Sequence, residues 1–126
     1  MNIFIQRAPD APVTEEYKKS RVAEARFLRA YNYFAMVIRY GGVPLITEAQ
    51  DIDAPEEELY RARDSEKAIY DFVISECDAI FNDLPSVRTS DYGRPTKWAA
   101  AALKCRAALY AGSIAQFGSQ QLNGLL

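Results

Sequence analysis

The chain has 126 residues, a length typical of one domain, and its 49% hydrophobic and 25% charged residues exclude a disordered or fibrous protein. Its 15 Lys and Arg against 17 Asp and Glu give a net charge of −2 with mixed signs, which argues against a nucleic-acid partner. Histidine, the commonest metal ligand and general base, is absent, so we expect no metal site, no cofactor and no enzymatic activity.

The first predicted helix covers residues 15–40, after an entry segment that contains two prolines and a brief apolar patch. The helical stretch has no Gly or Pro, and its apolar side chains recur every three or four positions on more than one face. We therefore expect Tyr31, Tyr33 and Tyr40 to fill the core and the grooves between helices. Gly41 and the glycine and proline that follow it end the helix, since glycine permits a left-handed cap.

A long acidic connection over residues 43–63 follows the first helix. We interpret its carboxylates as a solvated face that is partly pinned to the surface, with a cation or partner site as the alternative.

The second predicted helix covers residues 65–83, capped by Asp64 or Ser65 and ended by a Leu-Pro pair. Its acidic and amide side chains form a wet face, which we interpret as solubilising rather than as a catalytic carboxylate pair. Its apolar stripe is predicted to be Ile69, Val73, Cys77, Ile80 and Leu84.

The third predicted helix covers residues 97–116, with Thr96 as its N-cap and Gly118 as its stop. It is rich in alanine, which lets a neighbouring helix approach closely. The three helices predict an all-α fold of tetratricopeptide-like hairpins in a single domain over residues 1–126. We expect helix faces to be left open in this chain, particularly the alanine-rich side of residues 99–115, and we expect dimers or larger species in solution as a result.

Two cysteines, Cys77 and Cys105, fall in the second and third predicted helices. Their spacing is not that of a metal or redox motif. We interpret both as small core residues, with a disulfide as the alternative.

Three residues near the start of the third helix are candidate ligand contacts. Tyr92, Arg94 and Trp98 could together offer a stacking surface and hydrogen-bond donors to a sugar. The competing interpretation is that Trp98 seals helix packing. On the first helix, Arg26 and Arg29 lie one turn apart and are predicted to form ion pairs that fix neighbouring helices. The alternative is a clamp for a phosphate or carboxylate.

Several blocks in fixed order resemble the SusD/RagB family of outer-membrane nutrient-binding lipoproteins. The resemblance extends from residue 1 to about residue 118. The blocks are residues 23–34 (AEARFLRAYNYF), 40–46 (YGGVPLI), 93–100 (GRPTKWAA) and 108–112 (ALYAG).

The resemblance implies a non-catalytic helical scaffold with tetratricopeptide-like units. It implies a location at the outer-membrane surface, a SusC-like TonB-dependent transporter as partner, and capture of glycans, or of peptides in some branches. It also implies that glycan contacts are made mainly outside these residues, and that the chain is a fragment of a longer protein. No signal peptide and no lipid-accepting cysteine are found in this chain.

A second hypothesis is a free-standing tetratricopeptide-like adaptor that grips a peptide in a helical groove. Flanking sequence would distinguish the two. A lipid-accepting cysteine, a neighbouring porin gene and several hundred more residues would favour the first.

Overall fold

The computed structural model describes residues 1–118, and this part of the chain is helical without strands. The predictions of the fold class and of the three main helices are confirmed. The α-helices are α1 (Asn2–Arg7), α2 (Glu15–Tyr40), α3 (Glu56–Leu59), α4 (Glu66–Ile80) and α5 (Lys97–Phe117). Single 3-10 turns, Ala8–Asp10 and Phe81–Asp83, extend α1 and α4. Helices α1 and α3 were not predicted, because six and four residues are too few to show a helical period.

The three long helices form two antiparallel pairs with α4 in the middle. Between α2 and α4, Arg26 contacts Glu76 whereas the later residue Tyr33 packs edge-on against the earlier Phe72, at 5.3 Å between ring centres. Likewise Asp78 on α4 binds Lys104, and Phe81 lies 6.0 Å from Trp98 at the start of α5. Successive antiparallel packing gives the helical hairpins that the sequence predicts.

Hydroxyl side chains begin all three long helices. Thr14, Ser65 and Thr96 each accept a hydrogen bond from the backbone N–H three residues later, which satisfies one of the orphan donors of the first turn. Ser65 is therefore the cap of α4. Asp64 instead accepts a hydrogen bond of 2.7 Å from the backbone N–H of Leu45.

The core is centred on α4, which is covered from both sides. All five residues of the predicted stripe are buried, and Tyr70 on the adjoining face is buried as well. From α2 the core receives Ala30, Phe34 and Val37. From α5 it receives Ala100, Leu103 and Ala107, whose small alanines allow close approach of the helix.

Some predictions of burial are wrong. Cys77 is buried but Cys105 is exposed, and both thiols are free, because Cys105 lies on the face of α5 that turns away from α4. Tyr33 is buried, whereas Tyr31 and Tyr40 are about half and two-thirds exposed because they lie on the outer side of α2.

The connection between α2 and α4 is held down by specific polar contacts. The Tyr33 hydroxyl donates to the carbonyl of Ile46 and accepts from its N–H, at 3.0 and 2.8 Å. Arg63 donates to the carbonyls of Gly42 and Tyr40. The connection is thus pinned at both ends, as predicted.

Candidate functional site

The three candidate ligand residues of the sequence lie in the loop before α5 and in the first turn of that helix. Tyr92 is 84% exposed in the loop before α5, and Trp98 is 58% exposed in the first turn of α5. Arg94 lies between them in sequence. Its guanidinium is not free, because its Nη2 is 2.9 Å from a carboxylate oxygen of Glu24 on α2. The loop and the start of α5 therefore present two exposed aromatic rings, while Arg94 binds another helix.

The contacts of Trp98 support the interpretation that it seals helix packing, while its role in ligand contact stays a prediction. Its ring packs edge-on against Phe81, which closes the gap between the 3-10 turn after α4 and the start of α5. The Nζ of Lys97 lies 4.9 Å from the centre of the same ring, close enough for a cation–π contact. More than half of the side chain stays open to solvent, so an outer ring surface is available.

A buried carboxylate on α2 forms ion pairs with three arginines. The side chain of Glu24 is 6% exposed and binds Arg21 at 3.0 Å, Arg88 at 2.5 Å and Arg94 at 2.9 Å. Burial alone would raise the pKa of Glu24, but the hydrogen bonds from Arg88 and Arg21 outweigh it and hold the pKa below its ordinary value. Glu24 thereby ties the loop before α5 to α2.

A second buried carboxylate joins α4 to α2. Glu76 accepts from Arg26 at 2.6 and 3.1 Å and from Arg29 at 2.9 Å. Burial acts to raise the pKa of Glu76, yet the bonds from Arg26 and Arg29 lower it overall. The predicted role of both arginines in fixing neighbouring helices is confirmed.

Arg29 extends this second cluster to the N-terminus and to the acidic connection. It donates to the Asn2 side chain at 3.1 Å and to the carbonyl of Thr47 at 2.8 Å. The Asn2 amide in turn donates to the carbonyls of Ile46 and Glu48, each at 2.9 Å. One arginine therefore positions four segments of the chain.

The sequence identified the arginines but not their partners. Glu24 and Glu76 are charged residues on helices, and such residues usually face water. The only sign of their burial in the sequence is that apolar residues lie next to them. Their partners lie as far as 70 positions away, and no local pattern identifies a contact over that distance.

Asp71 and Asp78 of α4 behave as solubilising residues, as predicted. Asp71 pairs with Lys67 at 2.5 Å, and Asp78 pairs with Lys104 at 2.6 Å, and all four side chains are largely exposed. Within residues 1–118, no three Cys, Asp or Glu side chains come close enough together to hold a metal ion. None of the helices in this part of the chain combines the length and the apolar composition of a membrane-spanning segment.

Comparison with known proteins gives consistent matches. The SusD-like family model, described as starch-binding and associating with the outer membrane, matches residues 1–109. A SusD-like protein of Bacteroides ovatus is 34% identical over 97 residues, which cover 76% of this chain and 17% of that protein.

Solved structures match the fold. A SusD-like protein from Bacteroides fragilis superposes with a TM-score of 0.80 at 36% identity, over 91% of this chain and 23% of that one. A laminarin-binding SusD-like protein superposes with a TM-score of 0.77 at 26% identity, over 93% of this chain and 25% of that one. The chain thus spans a quarter or less of the length of these relatives.

Proposed function

Because the chain belongs to the SusD-like family, we propose that it is part of the helical scaffold of a glycan-binding lipoprotein at the outer-membrane surface. In this proposal the chain itself catalyses no reaction. It braces the regions that contact glycan and helps to seat the protein on a SusC-like TonB-dependent transporter.

The observation that carries this proposal is that arginine side chains of this chain bind buried carboxylates of the same chain. Arg26 and Arg29 are directed at Glu76, and Arg88 and Arg94 at Glu24, so that both buried clusters join separate segments of the chain. A sugar site needs convergent polar groups that are open to a ligand. In these clusters the charged groups bind one another and hold the helices and the loop before α5 in place.

Tyr92 and Trp98 are the side chains that we propose for any sugar contact made by this chain, because their rings are exposed. Arg94 could add a donor only by sharing its guanidinium with Glu24. We therefore expect such contacts to be secondary to those made by other parts of the protein.

A chimera tests the scaffold role. The matching segment of the laminarin-binding relative, which superposes with this chain, would be replaced by residues 1–118. We expect laminarin affinity to stay within about tenfold, equivalent to 1.4 kcal/mol. Loss of laminarin binding in a chimera that still unfolds cooperatively would show that the segment determines ligand choice, contrary to the proposal.

The chain by itself supplies the complementary measurement. We expect no heat of binding with laminarin or maltooligosaccharides in titration calorimetry, for a sample whose circular dichroism is helical. Micromolar affinity of the isolated chain for either sugar would place the glycan site within it.

The adaptor hypothesis remains as the alternative. Tetratricopeptide-like hairpins offer grooves to peptides, but the match to one glycan-binding family over residues 1–109 favours the scaffold.

A further inference from the structure

A hollow of about 440 Å³ lies between α1, the turn that follows it and the first half of α2. Its walls include Phe4, Val13, Tyr17 and Leu28, each of which is about half exposed. Hydrophobic side chains that are scattered singly over a surface need no explanation, but four that converge on one concave site indicate a binding surface.

The rim of this hollow is cationic. Lys18, Arg21 and Arg94 all line it, beside the single carboxylate of Glu24. Lys18 pairs with Glu15 at 2.9 Å, so its charge is compensated at the surface. The charges of Arg21 and Arg94 are not each compensated by a carboxylate of their own.

Three arginines share the carboxylate of Glu24, and two of them, Arg21 and Arg94, line the hollow. Arg21, Arg88 and Arg94 bind Glu24, and none of them forms an ion pair with a second carboxylate within residues 1–118. The Nε of Arg88 is moreover a buried donor without a partner. The cluster is therefore short of negative charge. The Nη2 of Arg88 also donates to the carbonyl of Pro95 at 3.0 Å, so only its Nε lacks an acceptor, which is costly for a buried group.

Arg21 connects the charged rim to the apolar wall. Its guanidinium lies 4.8 Å from the centre of the Tyr17 ring while one terminal nitrogen binds Glu24. An acceptor beside Arg21 would therefore lie next to exposed aromatic and aliphatic surface. An inorganic anion would not cover the apolar surface, which would stay exposed to water. A neutral sugar would not compensate the positive charge of the arginines.

We propose that this hollow binds a segment of a partner protein in which a carboxylate side chain is flanked by hydrophobic side chains. The carboxylate lies against Arg21 and Arg94, and a neighbouring apolar side chain covers Phe4, Val13 and Leu28. The site requires no glycan contact, so it can be tested separately from glycan binding.

Two capped peptides test the proposal by calorimetry or by amide chemical-shift titration of the full chain. Acetyl-Gly-Leu-Glu-Phe-Gly-amide is expected to bind at least about tenfold more tightly than its Glu-to-Gln counterpart, as one charge-assisted hydrogen bond implies. Arg21→Gln and Arg94→Gln are each expected to remove most of that preference, whereas the control Lys67→Gln, at an exposed pair on α4, should leave it unchanged.

A further variant, Val13→Asp, keeps the experiment informative if an arginine variant unfolds. It leaves the Glu24 cluster intact but removes apolar wall and adds a negative charge, so it should weaken binding of both peptides and weaken the acidic peptide more. Equal affinity for both peptides, or no binding of either, would overturn the proposal. Tighter binding of a galacturonate trimer than of the acidic peptide would also overturn it and assign the hollow to an acidic sugar.

Discussion

Arg29 on α2 and Glu76 on α4 form a buried ion pair of 2.9 Å between side chains that are each 10% exposed. Arg26 binds the same carboxylate from one turn earlier, so two guanidinium groups neutralise and orient one acid. The register between the first two long helices is therefore set by polar as well as apolar contacts.

Replacement of Glu76 by Gln should lower the free energy of unfolding at pH 7 by about 3 kcal/mol, because removing one partner leaves buried arginine charge uncompensated. Urea denaturation followed by circular dichroism measures the change. The control is Asp71→Asn at the exposed pair with Lys67, for which we expect a loss below about 1 kcal/mol. Similar losses in the two variants would contradict the structural role of Glu76.

Glu76 should also make the free energy of unfolding depend on pH in the acidic range. Since the pKa of Glu76 in the folded chain lies below the ordinary 4.5, its stabilisation is present above 4.5 and is lost as the pH falls through the folded value. The difference in stability between the unmodified chain and Glu76→Gln should therefore shrink steadily below pH 4.5. A difference that stays constant down to pH 3 would show that Glu76 is not titrating.

Gly41 should not tolerate a side chain. Its φ of 69° is left-handed, and an added Cβ would meet the carboxylate of Glu66 at 2.9 Å. We expect Gly41→Ala to cost about 1–3 kcal/mol of stability in thermal or urea unfolding. The control is Gly112→Ala on α5, where open space surrounds the Cβ position and a gain of about 0.5–1 kcal/mol is expected. Equal effects at both glycines would be inconsistent with the turn geometry.

The two thiols should differ in reactivity. Burial, together with the nearby Asp78 and Glu76, raises the pKa of the Cys77 thiol to about 11, so little thiolate exists there at pH 8. Cys105 is exposed. With a disulfide reagent at pH 8 we expect one fast equivalent, which Cys105→Ser abolishes, and a second equivalent only after denaturation. Two fast equivalents in the folded chain would contradict the burial of Cys77.

The outer face of α5 is proposed to drive self-association. Leu109 is 70% exposed and Phe117 is 75% exposed on α5, whereas Ala100 and Ala107, on the side that the sequence predicts to be open, are buried against the core. Light scattering should show dimers or larger species, and Leu109→Glu should shift them toward monomer. The control Val87→Glu, in the loop after α4, should not. A monomer at the highest attainable concentration of the unmodified chain would count against this prediction.

Local patterns sufficed for the long helices because their ends are marked by local chemistry. Thr14, Ser65 and Thr96 cap their helices through contacts only three residues long. The stripe of α4 was likewise predictable, because its wet face distinguishes inside from outside. On α5 apolar residues surround the helix, so the sequence alone did not place Cys105 on the outer face.

The clusters and the hollow could not be predicted, since they depend on tertiary distance. Glu24 meets Arg94 across 70 positions, and Arg29 meets Glu76 across 47. The hollow further requires α1, whose six residues are too short to show a helical period. Arginines at helical spacing indicated ion pairs, but the choice of partner is made by the packing of α2, α4 and the loop before α5.

The exposed Cys105 on α5 also makes the chain ready for spectroscopy as it stands. With Cys77 enclosed in the core, a nitroxide or fluorophore would attach at a single natural position, seven residues beyond Trp98 and four before Leu109. Those spacings place the reporter on the same helical face as both. Distances between two such reporters would therefore show whether copies meet through this face, without any engineered cysteine.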